Sequence, residues 1–133
     1  MTGPFLDLHG VPVYQVPVDG PELRTGSDAV DLMSAASEHR GALIAIPIAR
    51  LGDDFFELRT RIAGEIAQKF VMYGARVAIV GDIRGKTGAS KSLAAFVFES
   101  NRGKDLWFVD SLEELADRLA PSSNERKAPE GSL

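Results

Sequence analysis

"ALIAIPI", residues 42–48, decides the fold of this 133-residue chain. The run is apolar at nearly every position, and a short continuous run of this kind predicts a strand buried on both faces. Such strands belong to parallel sheets that helices cover. A second run, "RVAIVGD" at residues 76–82, predicts a neighbouring buried strand. The two runs together indicate an α/β protein with a mostly parallel sheet.

The N-terminal part of the chain predicts a β-hairpin. Residues 5–18, "FLDLHGVPVYQVPV", contain two short strand patterns that are separated by His9 and Gly10. Pro12 and Pro17 lack the backbone N–H that a sheet ladder needs. We therefore expect this hairpin toward an edge of the sheet.

Four segments with helical spacing connect or follow the strands. The longest is predicted at residues 54–73, where apolar side chains recur every three or four positions. Gly64 lies inside it and suggests close packing against a neighbouring backbone, because a glycine in a helix interior costs about 1 kcal/mol relative to alanine. The other helices are predicted at residues 25–41, 90–103 and 111–119, and a last strand at residues 105–111.

The predicted element order is β-β-α-β-α-β-α-β-α. Strands that alternate with helices favour a parallel sheet with right-handed connections, to which the hairpin adds one antiparallel strand. We expect a single domain over residues 1–120. Residues 121–133 have no apolar periodicity and are predicted to be a disordered tail.

Composition limits the partners. Fifteen Lys and Arg against 19 Asp and Glu give a net charge of −4, so nothing favours nucleic acid or an anionic membrane. The sequence has no cysteine, which excludes disulfides, thiol catalysis and thiolate metal sites. It shows no secretory signal pattern and no apolar run near the roughly 20 residues that span a bilayer. We expect a cytoplasmic protein with neither nucleic-acid nor membrane partners.

A glycine-rich stretch, "VAIVGDIRGKTGASKSL" at residues 77–93, contains the ingredients of a phosphate-binding loop. A Walker A loop needs four residues between its first glycine and Gly-Lys-Ser/Thr, but Gly81 and Gly85 enclose only three. This spacing argues against a P-loop nucleotide site. Gly81 and Asp82 then end the strand, residues 83–89 are a flexible spacer, and Ser90 opens a helix. A weaker site for an anion or a phosphate-bearing small molecule, in a binding protein or an enzyme, stays open as an alternative at the 81–92 loop and the helix start. Its predicted residues are Asp82, Arg84, Lys86, Ser90, Lys91, Ser92, Glu99 and Asn101.

No pattern in the sequence builds a catalytic site. The two histidines, His9 and His39, have no nearby serine nucleophile and no metal-ligand spacing. A phosphoryl-receiver pocket is disfavoured because Asp53 and Asp54 follow the third predicted strand and not the first. We therefore predict no catalytic residue, metal or cofactor, and favour a binding module over an enzyme.

Two segments are similar to a known family: "DDFFELRTRIAGEIAQKFVMYGARVAIVGD" at residues 53–82 and "SKSLAAFVFESNRGKDLWFVDSLEEL" at residues 90–115. They resemble the uncharacterised bacterial family called domain of unknown function 4180, and the resemblance covers roughly residues 10–120. That family implies no established activity.

The element order also resembles the STAS domain of anti-sigma factor antagonists. In that group a regulatory serine lies where the third strand meets the second helix, and its phosphorylation breaks partner binding. The matching stretch here, "ARLGDDFF" at residues 49–56, contains no Ser or Thr. The resemblance therefore implies the element layout of the STAS domain but not its phosphorylation switch.

The same junction is the predicted partner-binding surface. Asp53, Asp54, Phe55 and Phe56 place two carboxylates and two rings at one helix start. Adjacent helix positions point about 100° apart, so we expect one ring to be partly exposed beside the acids; the alternative is that both rings tuck under the hairpin. The leading hypothesis is a regulatory or protein-interaction module with an unknown protein partner. The surplus apolar surface around Phe98 on a later helix favours a homodimer.

Overall fold

The computed structural model describes residues 5–39 and 41–120. The strands and helices alternate along the chain after an N-terminal hairpin, and short 3₁₀ turns follow the third strand. The elements are β1 (Phe5–Leu8), β2 (Val11–Gln15), α1 (Gly26–Ala36), β3 (Leu43–Pro47), α2 (Ile62–Met72), β4 (Arg76–Val80), α3 (Arg84–Ala89), α4 (Lys91–Arg102), β5 (Leu106–Val109) and α5 (Leu112–Leu119), with 3₁₀ turns at Ile48–Arg50, Asp53–Phe56 and Leu58–Thr60.

The five strands form one sheet in the order β1-β2-β3-β4-β5. The pairing of β1 with β2 is antiparallel and the other three pairings are parallel. The predicted α/β fold is therefore confirmed. The hairpin lies at an edge, as predicted, and His9 and Gly10 form its turn with φ angles of 53° and 85°.

Both faces of the sheet are buried, which explains the continuous apolar runs. Ile44 and Ile46 point into a core shared with α1, α2 and α4. Leu43 and Ala45 point to the opposite face, where they cluster with Leu115 of α5. Since sequential parallel strands with right-handed connections place their helices on one face, α5 alone among the described helices covers the other.

The helix predicted at residues 54–73 is too long. α2 begins only at Ile62, after two 3₁₀ turns and a left-handed residue, Arg61, with φ of 68°. The Thr60 hydroxyl donates to the carbonyl oxygens of Asp54 and Glu57 at 2.8 and 2.9 Å. Both carbonyl oxygens also accept backbone N–H groups within the turns, so the hydroxyl adds a side-chain contact that stabilises them.

The flexible spacer predicted between Asp82 and Ser90 is also wrong, because this segment contains the helix α3. Ile83 lies in the core and its carbonyl oxygen accepts from the backbone N–H groups of Lys86 and Thr87. Two glycines, Gly85 and Gly88, lie inside this short helix. Their low helix propensity is what made the stretch resemble a loop.

Gly64 does not pack closely against a neighbouring backbone, contrary to expectation. A Cβ atom added there would meet no heavy atom within 4 Å. The predicted disordered tail, residues 121–133, lies outside the described residues.

Two glycine substitutions test this description. Gly64→Ala is expected to raise the free energy of unfolding by about 1 kcal/mol, since alanine favours the helix and has room. Gly81→Ala is expected to lower it by roughly 1–3 kcal/mol. Gly81 has φ of 146°, and a Cβ there would lie 2.6 Å from Ile48 Cγ1. Urea denaturation in dilute solution measures both, and equal stability of Gly81→Ala and the wild-type chain would contradict the description.

Candidate functional site

The carboxyl ends of the parallel strands form one edge of the sheet, which we call the carboxyl edge. Its loops comprise residues 16–25, 48–61, 81–90 and 110–111. In open α/β sheets ligands commonly bind outside the carboxyl ends of the strands, which makes this edge the candidate site. All the residues predicted for partner binding lie in the second of these loops.

Arg50 joins the loops that follow β2 and β3. Its Nε atom donates to the carbonyl oxygen of Pro21 at 2.7 Å, and its Nη1 atom donates to that of Pro17 at 2.9 Å. The backbone of Leu23 donates to the carbonyl oxygen of Arg50 at 2.9 Å. The guanidinium lies so close to Gly20 that an added Cβ would be 2.8 Å from Cζ. Arg50 thus fixes the first loop against the second.

Residues 53–56, which we call the acidic turn, follow directly. Phe55 and Phe56 are 3% and 7% exposed, and their rings meet edge to face with centroids 5.1 Å apart. The expectation that one ring is partly exposed is therefore wrong. Phe55 lines an apolar cavity of about 10 Å³ with Ile46 and Ile66, so it packs between β3 and α2 and not under the hairpin.

The two carboxylates of the acidic turn point outward and each meets a cation. Asp54 accepts from Arg24 Nη2 at 2.8 Å, and both side chains are about half exposed. Asp53 is fully exposed, and its Oδ1 atom lies 3.5 Å from Lys86 Nζ. The hydrogen bond that Arg24 donates to Asp54 raises the pKa of Arg24 above its ordinary value. Exposed pairs of this kind contribute little to stability, so their effect is to orient the side chains.

Lys86 connects α3 to the acidic turn. Its ammonium group lies 5.0 Å from the centroid of the Phe56 ring, within the range of a cation–π contact. The same ammonium approaches Asp53. One side chain therefore covers the buried ring and reaches the exposed carboxylate, and it brings the predicted partner-binding residues next to the 81–92 segment.

Asp82 and Arg84 satisfy each other. Arg84 donates from Nε and Nη2 to the two carboxylate oxygens at 2.9 and 2.8 Å, and its backbone N–H donates at 3.0 Å. These hydrogen bonds hold the pKa of Asp82 far below its usual range and raise the pKa of Arg84. Asp82 thus occupies the Nε–Nη2 edge of the guanidinium, so an anion at that edge would have to displace it.

The remaining residues of the predicted anion site do not converge. Ser90 caps α4, where its Oγ atom accepts from the backbone of Leu93 at 3.1 Å. Asn101 lies at the other end of α4, about 16 Å along the helix axis. Its Oδ1 atom accepts from the backbone of Phe108 at 2.7 Å, which ties α4 to β5. Lys91 and Ser92 are exposed at the start of α4, and Glu99 pairs with Arg102 near its end.

Sequence reasoning missed Arg24 and Arg50, which complete this edge. Arg24 is 30 positions from its partner Asp54, and no local pattern links them. The available signal was topological, since residues that follow neighbouring parallel strands meet at one edge of a sheet. A basic residue after β2 and an acidic pair after β3 are therefore expected neighbours.

Within residues 5–39 and 41–120, no group of three or more His, Cys, Asp and Glu side chains could hold a metal ion. The helices of this same part of the chain lack the length and apolar character needed to cross a bilayer.

Comparison with curated proteins and with solved structures found no match in either set. A family model described as "Domain of unknown function (DUF4180)" matches residues 8–119, which is most of the chain and confirms the predicted family. The likeness to the STAS domain stays a prediction from element order. By this match the chain belongs to the domain of unknown function 4180 family.

Proposed function

We propose that this domain is a regulatory or protein-interaction module whose partner binds at the acidic turn. The observation that supports the proposal is the placement of Asp53. Its carboxylate is fully exposed beside Lys86, on a turn whose last two side chains are buried rings.

The buried rings give the acidic turn a fixed shape. Phe55 and Phe56 anchor it to the core, and Arg50 anchors the preceding backbone to the loop after β2. A surface that is ordered before binding loses less conformational entropy on association. In this proposal the two rings hold the turn, while Asp53 and Asp54 contact the partner.

The charges of the edge alternate in sign. Arg24 lies beside Asp54, and Lys86 lies beside Asp53. Complementary charge patterns select partners and speed association more than they add affinity. We infer a protein partner that presents a cationic group to Asp53 and an anionic group near Lys86.

Site-specific crosslinking tests this proposal. A photo-crosslinking amino acid at position 53 is expected to capture a protein that the same group at position 113 does not. Glu113 is the control because it is exposed on α5, on the opposite side of the sheet from α2. With the captured protein purified, Asp53→Lys and Asp54→Arg are each expected to weaken binding by more than about tenfold, since like charges then face each other.

Glu113→Lys is expected to leave that affinity unchanged. Each variant is first checked for an unchanged melting temperature, which we expect because the substituted side chains are at least half exposed. Affinities that do not change in Asp53→Lys and Asp54→Arg would contradict the proposal.

The second candidate function is binding of an anion or a phosphate-bearing small molecule. Exposed Lys91 and Ser92 in the first turn of α4 favour it, whereas the engagement of Arg84 and Lys86 by carboxylates weighs against it. A ligand present at 100 times its Kd stabilises a fold by about 2.7 kcal/mol, which a thermal-shift measurement detects.

We expect inorganic phosphate and nucleoside mono- and triphosphates to leave the melting temperature unchanged. A rise that is lost in Lys91→Ala and kept in Lys104→Ala would contradict this expectation and favour the anion site. Lys104 is a suitable control because it is exposed beyond the other end of α4.

A further inference from the structure

The outer surface of the helix layer exposes an unusual share of apolar side chains. Six large hydrophobic side chains are exposed among the described residues, and five of them belong to this layer. Two of these side chains, Val30 and Tyr73, line one groove between α1 and α2, and clustered apolar surface on a small domain indicates an interaction site. The five are Val30 in α1, Val71, Met72 and Tyr73 in and just after α2, and Phe98 in α4.

A notch lies on the same surface, in the first turn of α2. Gly64 is exposed and an added Cβ would meet nothing within 4 Å. The groove beside it has a volume of about 440 Å³ and walls that include Leu58 and Phe96. Glycine destabilises a helix interior relative to alanine, and here no contact inside the chain requires it. The notch is therefore space that the isolated fold leaves empty.

A protruding side chain lies on the same helix on the far side of Gln68. Val71 is 51% exposed. By helix geometry Gly64 lies about 6 Å before Gln68 along the helix axis, and Val71 lies about 4.5 Å after it. Around the axis, both residues are rotated from Gln68 by about 40–60° in the same direction. A two-fold axis across α2 at Gln68 would place Val71 of one copy over Gly64 of the other.

Two opposite charges lie on the other side of Gln68. Glu65 lies about 4.5 Å before Gln68 and Lys69 about 1.5 Å after it along the axis, and both are turned toward the groove that α2 forms with α1. The same two-fold axis would leave Glu65 and Lys69 of the second copy about 3 Å apart along the axis, an offset that their long side chains can span. Each chain thus supplies both the notch and the side chain that fills it, and both the acidic and the basic residue. An isologous contact requires this, because the same surface of each copy meets itself.

We propose that α2 is the seam of a homodimer, in which it packs antiparallel against α2 of a second copy about Gln68. The occupant of the notch is the Val71 side chain of that copy. The seam shares no residue with the acidic turn, so this inference stands or falls separately from the proposed function.

Sedimentation of the full chain over a concentration series tests the seam. We expect a reversible dimer in the wild-type chain and a dissociation constant at least about tenfold higher in Gly64→Leu, because the added side chain fills the notch. Gly88→Leu is the matched control, since Gly88 is also an open helical glycine. It is expected to dimerise like the wild-type chain.

Charge exchange tests the contact without altering the notch. Glu65→Lys and Lys69→Glu are each expected to be monomers, because each sets like charges across the seam. An equimolar mixture of the two variants is expected to form a heterodimer, since each copy then supplies the charge that the other needs. A structural effect within one chain would not be corrected by mixing.

A wild-type chain that stays monomeric at its highest attainable concentration would overturn the inference. So would a dimer that resists Gly64→Leu, or the absence of a heterodimer in the mixture of charge variants. Partner affinity measured in Asp54→Arg reports on the acidic turn alone, so the two proposals can fail independently.

Discussion

Burial of two adjacent phenylalanine rings, Phe55 and Phe56, determines the shape of the carboxyl edge. The chain buries both rings where 3₁₀ turns replace the first turns of the predicted helix. With this backbone path α2 begins only at Ile62, and the carboxylates of Asp53 and Asp54 point outward. The pairing of these carboxylates with cations follows from that backbone path.

The fold presents two surfaces of different chemistry, the carboxyl edge and the outer surface of the helix layer. The carboxyl edge presents paired charges on a backbone held by Arg50 and the buried rings, and it suits a partner recognised by charge. The helix layer presents Val71 beside the open notch at Gly64, and it suits a second copy recognised by shape. A dimer formed through α2 would carry two acidic turns, which would allow bivalent capture of a symmetric partner.

The strands and the helices α1, α4 and α5 were predictable because each carries a clear apolar pattern. Residues 42–48 and 77–80 are apolar throughout, and burial on both faces is the physical reason. The acidic turn was not predictable, because the two rings also fit the apolar stripe of a longer helix and only the tertiary core shows that both are buried. The ion pair of Arg24 with Asp54 joins residues 30 positions apart, and sheet topology alone brings them together.

The position of the Lys86 side chain tests most directly whether the buried rings hold the acidic turn in a fixed place against α3. Lys86 belongs to α3 and contacts both Phe56 and Asp53. A group above an aromatic ring has its proton resonances shifted upfield. In NMR spectra of the full chain, the Lys86 ε-methylene protons are predicted to resonate upfield of those of exposed lysines such as Lys104, and to return to ordinary values in Phe56→Leu. Resonances of Lys86 that match those of Lys104 in the wild-type chain would contradict the account.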